Sequence, residues 1–447
     1  MTYSIIQKSQ LEGQNRLDAE YYQPEYLNLS KSLRMAKSLS EIALIKSGTT
    51  PKDREDSLEV GPILFKTTDI RNNILSKDAC YYHISEEIYN RMKATKILGR
   101  DVLINIVGAT LGVIGRSAFV PSKFCDANIT QAMALVRSKS QDYLPEYLFC
   151  FFLSKFGRFQ ADRIARPTGQ YNLNLVELGS FQVPKINIKE QEKIKIFIDE
   201  SLAQLNESSN NYITAEKILL EELGLIEFEV DHDLYSVVNL TEVKKVDRLD
   251  ADYFQVKYKK LIDKLKNPKK LGDIAKRKDV KIKIDKEKEY KYTEISDVNV
   301  GNGEVLFNTI KGKDLPANAK MRINGGELII SKVRPTRGAI AIIPDGWKEN
   351  HIASGAFSIF DVSSPTREYL QVVLRSIIGK LQMEQPTTGT SYPTIIDKDV
   401  EDILIPILSK QTQEKIAGLV RKSHESRKKA KDLLEEAKRK VEELIEK

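Results

Sequence analysis

Residue types that could perform catalysis are sparse in this chain of 447 residues. The four histidines, His83, His232, His351 and His424, sit in neither an HExxH pattern nor any other paired metal spacing. No GxxxxGK(S/T) loop is present to cradle a nucleotide triphosphate, and no Asp/Asn-Pro-Pro-Tyr/Phe stretch is present to hold a flipped base. The run GNGEV at Gly301 lacks the third glycine of a dinucleotide fingerprint and reads as a hairpin turn. DKEKEYK at Asp285 imitates a nuclease Asp…Glu-x-Lys pattern only as any lysine-rich run would. Cys80, Cys125 and Cys150 lack CxxC spacing and read as idle thiols of a reducing compartment.

Chemistry suited to a phosphate backbone is better represented. KSGTTPK places Lys46, Thr49, Thr50 and Lys52 around a glycine that permits close approach, and Thr110 follows in the turn VGATLG. RIARPTGQYN contributes Arg163, Arg166, Thr168, Gln170 and Tyr171 to a Thr/Gly loop. SKVRPTRG carries Lys332, Arg334, Thr336 and Arg337 near a strand end, where arginine can also reach guanine edges. QPTTGTSYP adds Thr388, Thr390, Ser391 and Tyr392. Lys276 and Arg277 lie in Lys264–Lys291, which holds twelve Lys/Arg against five Asp/Glu and could meet polyphosphate.

The elements that must position these groups are given twice. RLDAEYYQPEY at Arg16 returns as RLDADYFQVKY at Arg248, LSEIA at Leu39 as LGDIA at Leu271, and TDI at Thr68 as SDV at Ser296. GRDVLINIVGATLGVIG at Gly99 answers GGELIISKVRPTRGAIA at Gly325, PTGQY at Pro167 answers TTGTSY at Thr387, and QEKI at Gln191 recurs at Gln413. The order never changes, so the chain is a tandem duplication of a unit of about 220 residues. Within each unit the pattern predicts a short amphipathic helix over the RLDA stretch, with Leu17 and Tyr21 on one face and Leu249 and Tyr253 on its copy. Short β-branched strands, a helical stretch (YLPEYLFCFFLSKFGRF or REYLQVVLRSIIGKL) and a long closing helix follow.

The closing helices carry a four-three spacing. Ile194, Ile198, Leu205, Tyr212 and Leu219 mark the first, and Ile416, Val420, Leu434, Val441 and Leu444 the second, with polar residues such as Ser201, Ser208, Ser423 and Arg427 interrupting both. Ile188–Gly224 has a net charge of −4 and Lys410–Lys447 one of +4, which favours pairing between the two. A two-fold relation between the repeats would make that pair antiparallel. The expected fold class is α+β: two tandem pseudo-repeated α/β domains separated by two long helices forming an antiparallel coiled coil. The expected boundaries are 1–187 for the first α/β domain with its RLDA helix, 188–224 for the first long helix, 225–265 for a connector and second RLDA helix, 266–408 for the second α/β domain, and 409–447 for the second long helix.

The bulk numbers agree with this. A composition 41% apolar and 30% charged, with a formal net charge of +7, fits a soluble, mildly basic protein of two or three domains. No eighteen-residue apolar run or secretory leader is evident, so a cytoplasmic protein with no membrane partner is expected.

Together, the RLDAEYY-type opening, LSEIALIKSGTTPK, INIVGATLGVIG, the RPTGQYNLN to FQVPKI passage and KEQEKI entering a long helix resemble the specificity subunit of Type I restriction-modification systems. The resemblance covers nearly the whole chain and rests on the ordered set given twice. It implies that the two α/β domains are target-recognition domains of a non-catalytic DNA-binding subunit, which reads a bipartite asymmetric double-stranded site, one half per recognition domain. Two modification (methyltransferase) subunits and the restriction (helicase-nuclease) subunits would be its partners. S-adenosylmethionine, ATP and Mg2+ would belong to those partners and not to this chain. The second copy departs from the first where SKVRPTRG replaces NIVGATLG, so base-reading residues do not carry over. Two other readings predict different behaviour: a DNA-modifying enzyme with degenerate motifs, which would turn over alone, and a coiled-coil protein adaptor that does not read DNA.

Overall fold

The computed structural model describes residues 4–447 except 12–15, 34–35, 56–57, 59, 71–74, 76–80, 168–169, 231–234, 349 and 390–391. Its compact units are Met1–Asn206 with Arg427–Lys447, and Glu207–Ser426. The divisions fall inside both long helices, and each half-helix packs into one unit's core.

In the first unit the β-branched run Val102–Asn105 is the buried centre of a four-stranded antiparallel sheet in the order Ala43–Ser47, Met133–Ser138, Val102–Asn105, Ser117–Phe119. A parallel pair, Ile63–Phe65 with Ala127–Ile129, adds a second layer with its own core. The expected helical stretch is two helices, Pro145–Leu153 and Lys155–Ile164, broken at Ser154. The Ser154 hydroxyl donates to the Phe151 carbonyl (2.6 Å) and accepts from the Gly157 amide, capping the second helix. Gly157 is required there, since a Cβ would lie 2.3 Å from the Phe151 carbonyl oxygen. Tyr147, Phe149, Phe151 and Phe156 fill the core beneath.

The second unit repeats this strand order with Lys276–Lys278, Phe357–Asp361, Leu328–Ser331 and Ile340–Ile342. Its parallel pair, Glu289–Thr293 with His351–Ser354, gains Asn308–Lys311 and Ala319–Arg322 as outer strands. Thr366–Arg375 and Ile377–Glu384 are again broken by a serine, Ser376, whose hydroxyl donates to the Val373 carbonyl (2.7 Å). Tyr147 and Tyr369 each donate to a proline carbonyl, of Pro184 and Pro406, and Gln160 and Gln382 each donate to the strand that closes their unit. The sequence repeat is therefore also a repeat of topology and of buried hydrogen bonds.

The long helices are Ile188–Leu223 and Lys410–Glu446. At about 1.5 Å per residue each runs for roughly 50 Å. In the first unit their segments lie antiparallel: Glu190 approaches Lys440 (3.7 Å) and Ser201 donates to the Ala430 carbonyl (2.8 Å). Ile194, Ile198, Leu434 and Val441 are buried there, and Leu205 is half-buried. At the C-terminus Ile445, not Leu444, is the buried residue, Leu444 packing only at the edge. In the second unit Tyr212, Leu219, Ile416 and Val420 share one core, and the Ser208 and Ser423 hydroxyls bond each other at 2.9 Å. The serines expected to interrupt the stripe are thus buried parts of it, with small side chains and local hydroxyl partners.

The RLDA stretches correct the sequence reading. Arg16–Asp18 is not helical; a 3-10 turn covers Ala19–Tyr22 and the α-helix begins at Pro24. Leu17 and Leu249 are 82% and 87% exposed, so neither forms an apolar face with the following tyrosine. The recurring structure is polar instead. Arg16 Nε donates to Asp18 (2.8 Å), its Nη1 donates to the Ile164 carbonyl (3.0 Å), and its guanidinium lies over the Tyr21 ring. Arg248 does the same with Asp250, the Pro386 carbonyl and Tyr253. An extended Arg-Leu-Asp lets one guanidinium span a carboxylate, a ring and a distant carbonyl, which a helix turn would not.

Candidate nucleic-acid interface

In the first unit, Tyr171–Asn172 pairs antiparallel with Val107–Gly108 on one side and with Arg166–Pro167 on the other. The VGATLG turn and the RPTGQYN loop are thereby one structure. Gly108 allows it, since a Cβ would stand 2.8 Å from the Ile114 amide nitrogen. KSGTT joins the same end of the sheet: the Gly48 amide donates to Met133, and the Val107 amide to neighbouring Ala132. Thr50 hydrogen-bonds Gln131 in that turn. Lys46, Thr49, Lys52, Thr110 and Gln170 are exposed, and Thr50 and Tyr171 are half-buried. Arg166 is described only through its strand backbone, and Thr168 lies outside the described residues.

Arg163 must be withdrawn from that surface. It sits in helix Lys155–Ile164, is 8% exposed, and donates to the Tyr21 carbonyl (2.8 Å) and to the Ser30 hydroxyl (3.2 Å), with its guanidinium 3.9 Å from the Tyr21 ring centroid. It is the floor on which the RLDA turn rests.

The second unit makes the same juxtaposition with different chemistry. Val333 bridges Thr394, Thr388 bridges Thr394, and the Arg334 amide donates to the Pro393 carbonyl (2.7 Å). The SKVRPTRG turn and the QPTTGTSYP loop are held together as in the first unit. Arg334 adopts a left-handed backbone (φ 47°) and lays its guanidinium 4.6 Å from the centroid of Tyr392, which is 68% exposed. Arg337 and Thr388 are exposed and Thr336 is half-buried, while Thr390 and Ser391 lie outside the described residues.

Two expected phosphate ligands are engaged within the protein. Lys332 Nζ is 2.9 Å from Asp397, and Arg277 reaches Glu401 (2.5 Å) and Asp397 (3.7 Å). Burial alone would raise the Asp397 carboxyl, but the Ser358 hydroxyl and the Lys332 ammonium outweigh it and hold the group below its ordinary value. The Glu401 hydrogen bond likewise raises Arg277. Elsewhere in Lys264–Lys291, Lys270 pairs with Asp402 and Lys278 with Glu327 and Asp361, whereas Lys276 stays exposed. Three of the twelve cations of this stretch, Lys270, Arg277 and Lys278, thus meet acids far away in sequence. Sequence reasoning missed Asp397, Glu401, Gln131 and Arg158, whose guanidinium ties the carbonyls of Leu111 and Ile114 in the VGATLG turn. Only their positions in the fold distinguish them. No group of three or more His, Cys, Asp and Glu side chains among the described residues could hold a metal ion.

The fold and the paired loops define a duplicated α+β protein whose two units present equivalent polar turns. Residues 34–215 match the family model for the Type I restriction modification DNA specificity domain. A stretch of 133 residues is 25% identical to the Type I restriction enzyme HindI specificity subunit of Haemophilus influenzae, covering 28% of this chain and 29% of that relative. Among solved structures, the S subunit of a Type-I restriction-modification system from M. genitalium aligns over 92% of this chain and 94% of its own, with 13% identity and a TM-score of 0.37. The HsdS subunit from Thermoanaerobacter tengcongensis aligns over 92% and 95%, with 14% identity and a TM-score of 0.27.

Proposed function

We propose that this chain is the specificity subunit of a Type I restriction-modification system, a non-catalytic subunit that binds double-stranded DNA and reads a bipartite asymmetric site, one half with each unit. The observation that supports it most is the repeated pairing of two polar loops: Val107–Gly108 with Tyr171–Asn172, and Val333 with Thr394. In both units this pairing places hydroxyl, amide, aromatic or guanidinium groups at the sheet's end, a set suited to phosphates and base edges. The long helices would act as an antiparallel coiled coil that sets half-site separation and seats two modification subunits, with restriction subunits joining the assembly. S-adenosylmethionine, ATP and Mg2+ would be bound by those partners. No helix among the described residues is long and apolar enough to cross a membrane, and the site of action would be the cytoplasm, where the host's DNA lies.

The test is selection of binding sites from a randomised duplex pool by the full chain, alone and with its modification subunits. Recovery of two fixed half-sites around a fixed gap is the expected result, with affinity falling steeply as salt rises. Removing matched heptads from both long helices should change the gap. A chain that selects no sequence, or an unchanged gap, would overturn the recognition or the ruler part respectively.

A further inference from the structure

The two units differ at one buried position in a way that bears on the second unit's basic turn. Arg375, the last residue of helix Thr366–Arg375, is 8% exposed. Its Nε donates to the Tyr212 phenol oxygen (2.9 Å), Nη2 to the Val300 carbonyl (2.9 Å), and Nη1 to the carbonyls of Gly338 (3.2 Å) and Ile340 (3.4 Å). Tyr212 belongs to the first long helix, Gly338 ends the SKVRPTRG turn, and Val300 directly precedes the GNGEV turn. One guanidinium therefore joins the long helix to the back of the turn that carries Arg334 and Arg337. Gly303, at φ 71°, leaves room for it: a Cβ would lie 3.0 Å from Nη1.

The first repeat fills the matching positions differently. Ser376 answers Ser154 and Gln382 answers Gln160, so Arg375 answers Leu153. Gln413 answers Gln191, so Leu434 answers Tyr212. Leu153 and Leu434 both pack in the first unit's apolar core. An apolar pair thus satisfies the architecture, and a buried cation with its polar partners is in general no more stabilising than well-packed hydrophobes. The polar pair occurs in the copy whose turn is basic and holds two left-handed residues, Arg334 and Gly338. Such a turn exposes carbonyls at its back that need donors, and a planar guanidinium can serve several at once. In the first unit Arg158, from the second helix of the pair, serves the VGATLG turn instead.

We propose that Arg375 and Tyr212 form a positioning pair that fixes the SKVRPTRG turn against the long helix, and so sets the direction in which Arg334 and Arg337 meet DNA. This rests on the DNA-reading function proposed above. Neither residue of the pair touches DNA; each acts through the backbone of the turn.

The experiment grafts the first repeat's solution into the second. The full chain bearing Tyr212→Leu with Arg375→Leu is compared with wild type in selection from a randomised duplex pool, and Arg337→Ala identifies which half-site the second unit reads. The expected result is an unfolding midpoint close to wild type, an unchanged first half-site, and about a tenfold or greater loss of base preference in the half that Arg337→Ala also weakens. Arg375→Lys should not restore preference, because an ammonium cannot span the three carbonyls and the phenol. Full preference in both halves for the double variant would overturn the proposal, as would loss in both halves with a lowered midpoint, which marks a structural role. A wild-type chain that selects no sequence would defeat the DNA-reading function itself, and this proposal with it.

Discussion

Arg163 lies in a stretch whose composition points to phosphate contact, yet its surroundings assign it to the core, and the two roles predict opposite results for Arg163→Met. Methionine keeps the unbranched stem but removes the donors to the Tyr21 carbonyl (2.8 Å) and the Ser30 hydroxyl (3.2 Å), and the cation 3.9 Å from the Tyr21 ring centroid. Hydrogen bonds from a charged donor contribute about 1.5–3 kcal/mol each, and a desolvated cation–π contact about 2 kcal/mol. At the low end of these ranges the loss is about 5 kcal/mol, of which the thioether's packing recovers about 1 kcal/mol, leaving about 4 kcal/mol. In a domain of 150–250 residues each kcal/mol moves the midpoint by roughly 2–4 °C, so the first unit's unfolding should fall by about 8–16 °C. The assay is thermal unfolding of the full chain, followed by limited proteolysis to locate the unit that opens. Salt dependence of DNA binding, measured in parallel at low temperature, should keep its slope, whereas loss of one phosphate contact would lower that slope by about 0.9. An unmoved midpoint together with a slope reduced by about one would refute the structural assignment.

Other perturbations follow from the same geometry. Leu17→Ser and Leu249→Ser remove side chains that pack on almost nothing, so chemical unfolding should change by no more than about 0.5 kcal/mol. Asp397→Asn should destabilise the second unit at neutral pH. The folded Asp397 carboxyl titrates below its ordinary value of 3.8, so its contribution is complete above about pH 4 and disappears as pH falls through the folded value. The gap between wild type and variant in a pH series should therefore close on the acid side of pH 4, and a gap that widens there would contradict the sign. Ser208→Leu forces a large side chain into the buried contact with Ser423 and should cost about 1–3 kcal/mol in denaturant unfolding. Burial pushes the Cys150 thiol well above its usual range, so a thiol reagent should modify exposed Cys125 in the native protein and reach Cys150 only on unfolding.

The sequence by itself determined what depends on local pattern. Order-preserving repetition announced two equivalent units, and the periodicity of Ile194, Ile198, Ile416 and Val420 placed the long helices to within a residue or two of Ile188–Leu223 and Lys410–Glu446, because apolar spacing at 3.5–3.6 residues per turn is a property of neighbouring positions. The polar turns, too, were legible from their Gly, Thr, Arg and Tyr content. Tertiary structure decided the fate of individual side chains. Arg163 and Arg166 look alike in RIARPTGQYN, but Arg163 ends on the last turn of a helix that the RLDA segment covers. Lys332 and Arg277 look like free cations until Asp397 and Glu401, more than sixty residues further along the chain, come beside them. The Arg-Leu-Asp triplet shows the same limit: its apolar spacing suggested a helix, and a carboxylate, a ring and a carbonyl from across the unit drew it out extended instead. A buried guanidinium takes its role from whichever groups the fold brings to it, and no local pattern records which those will be.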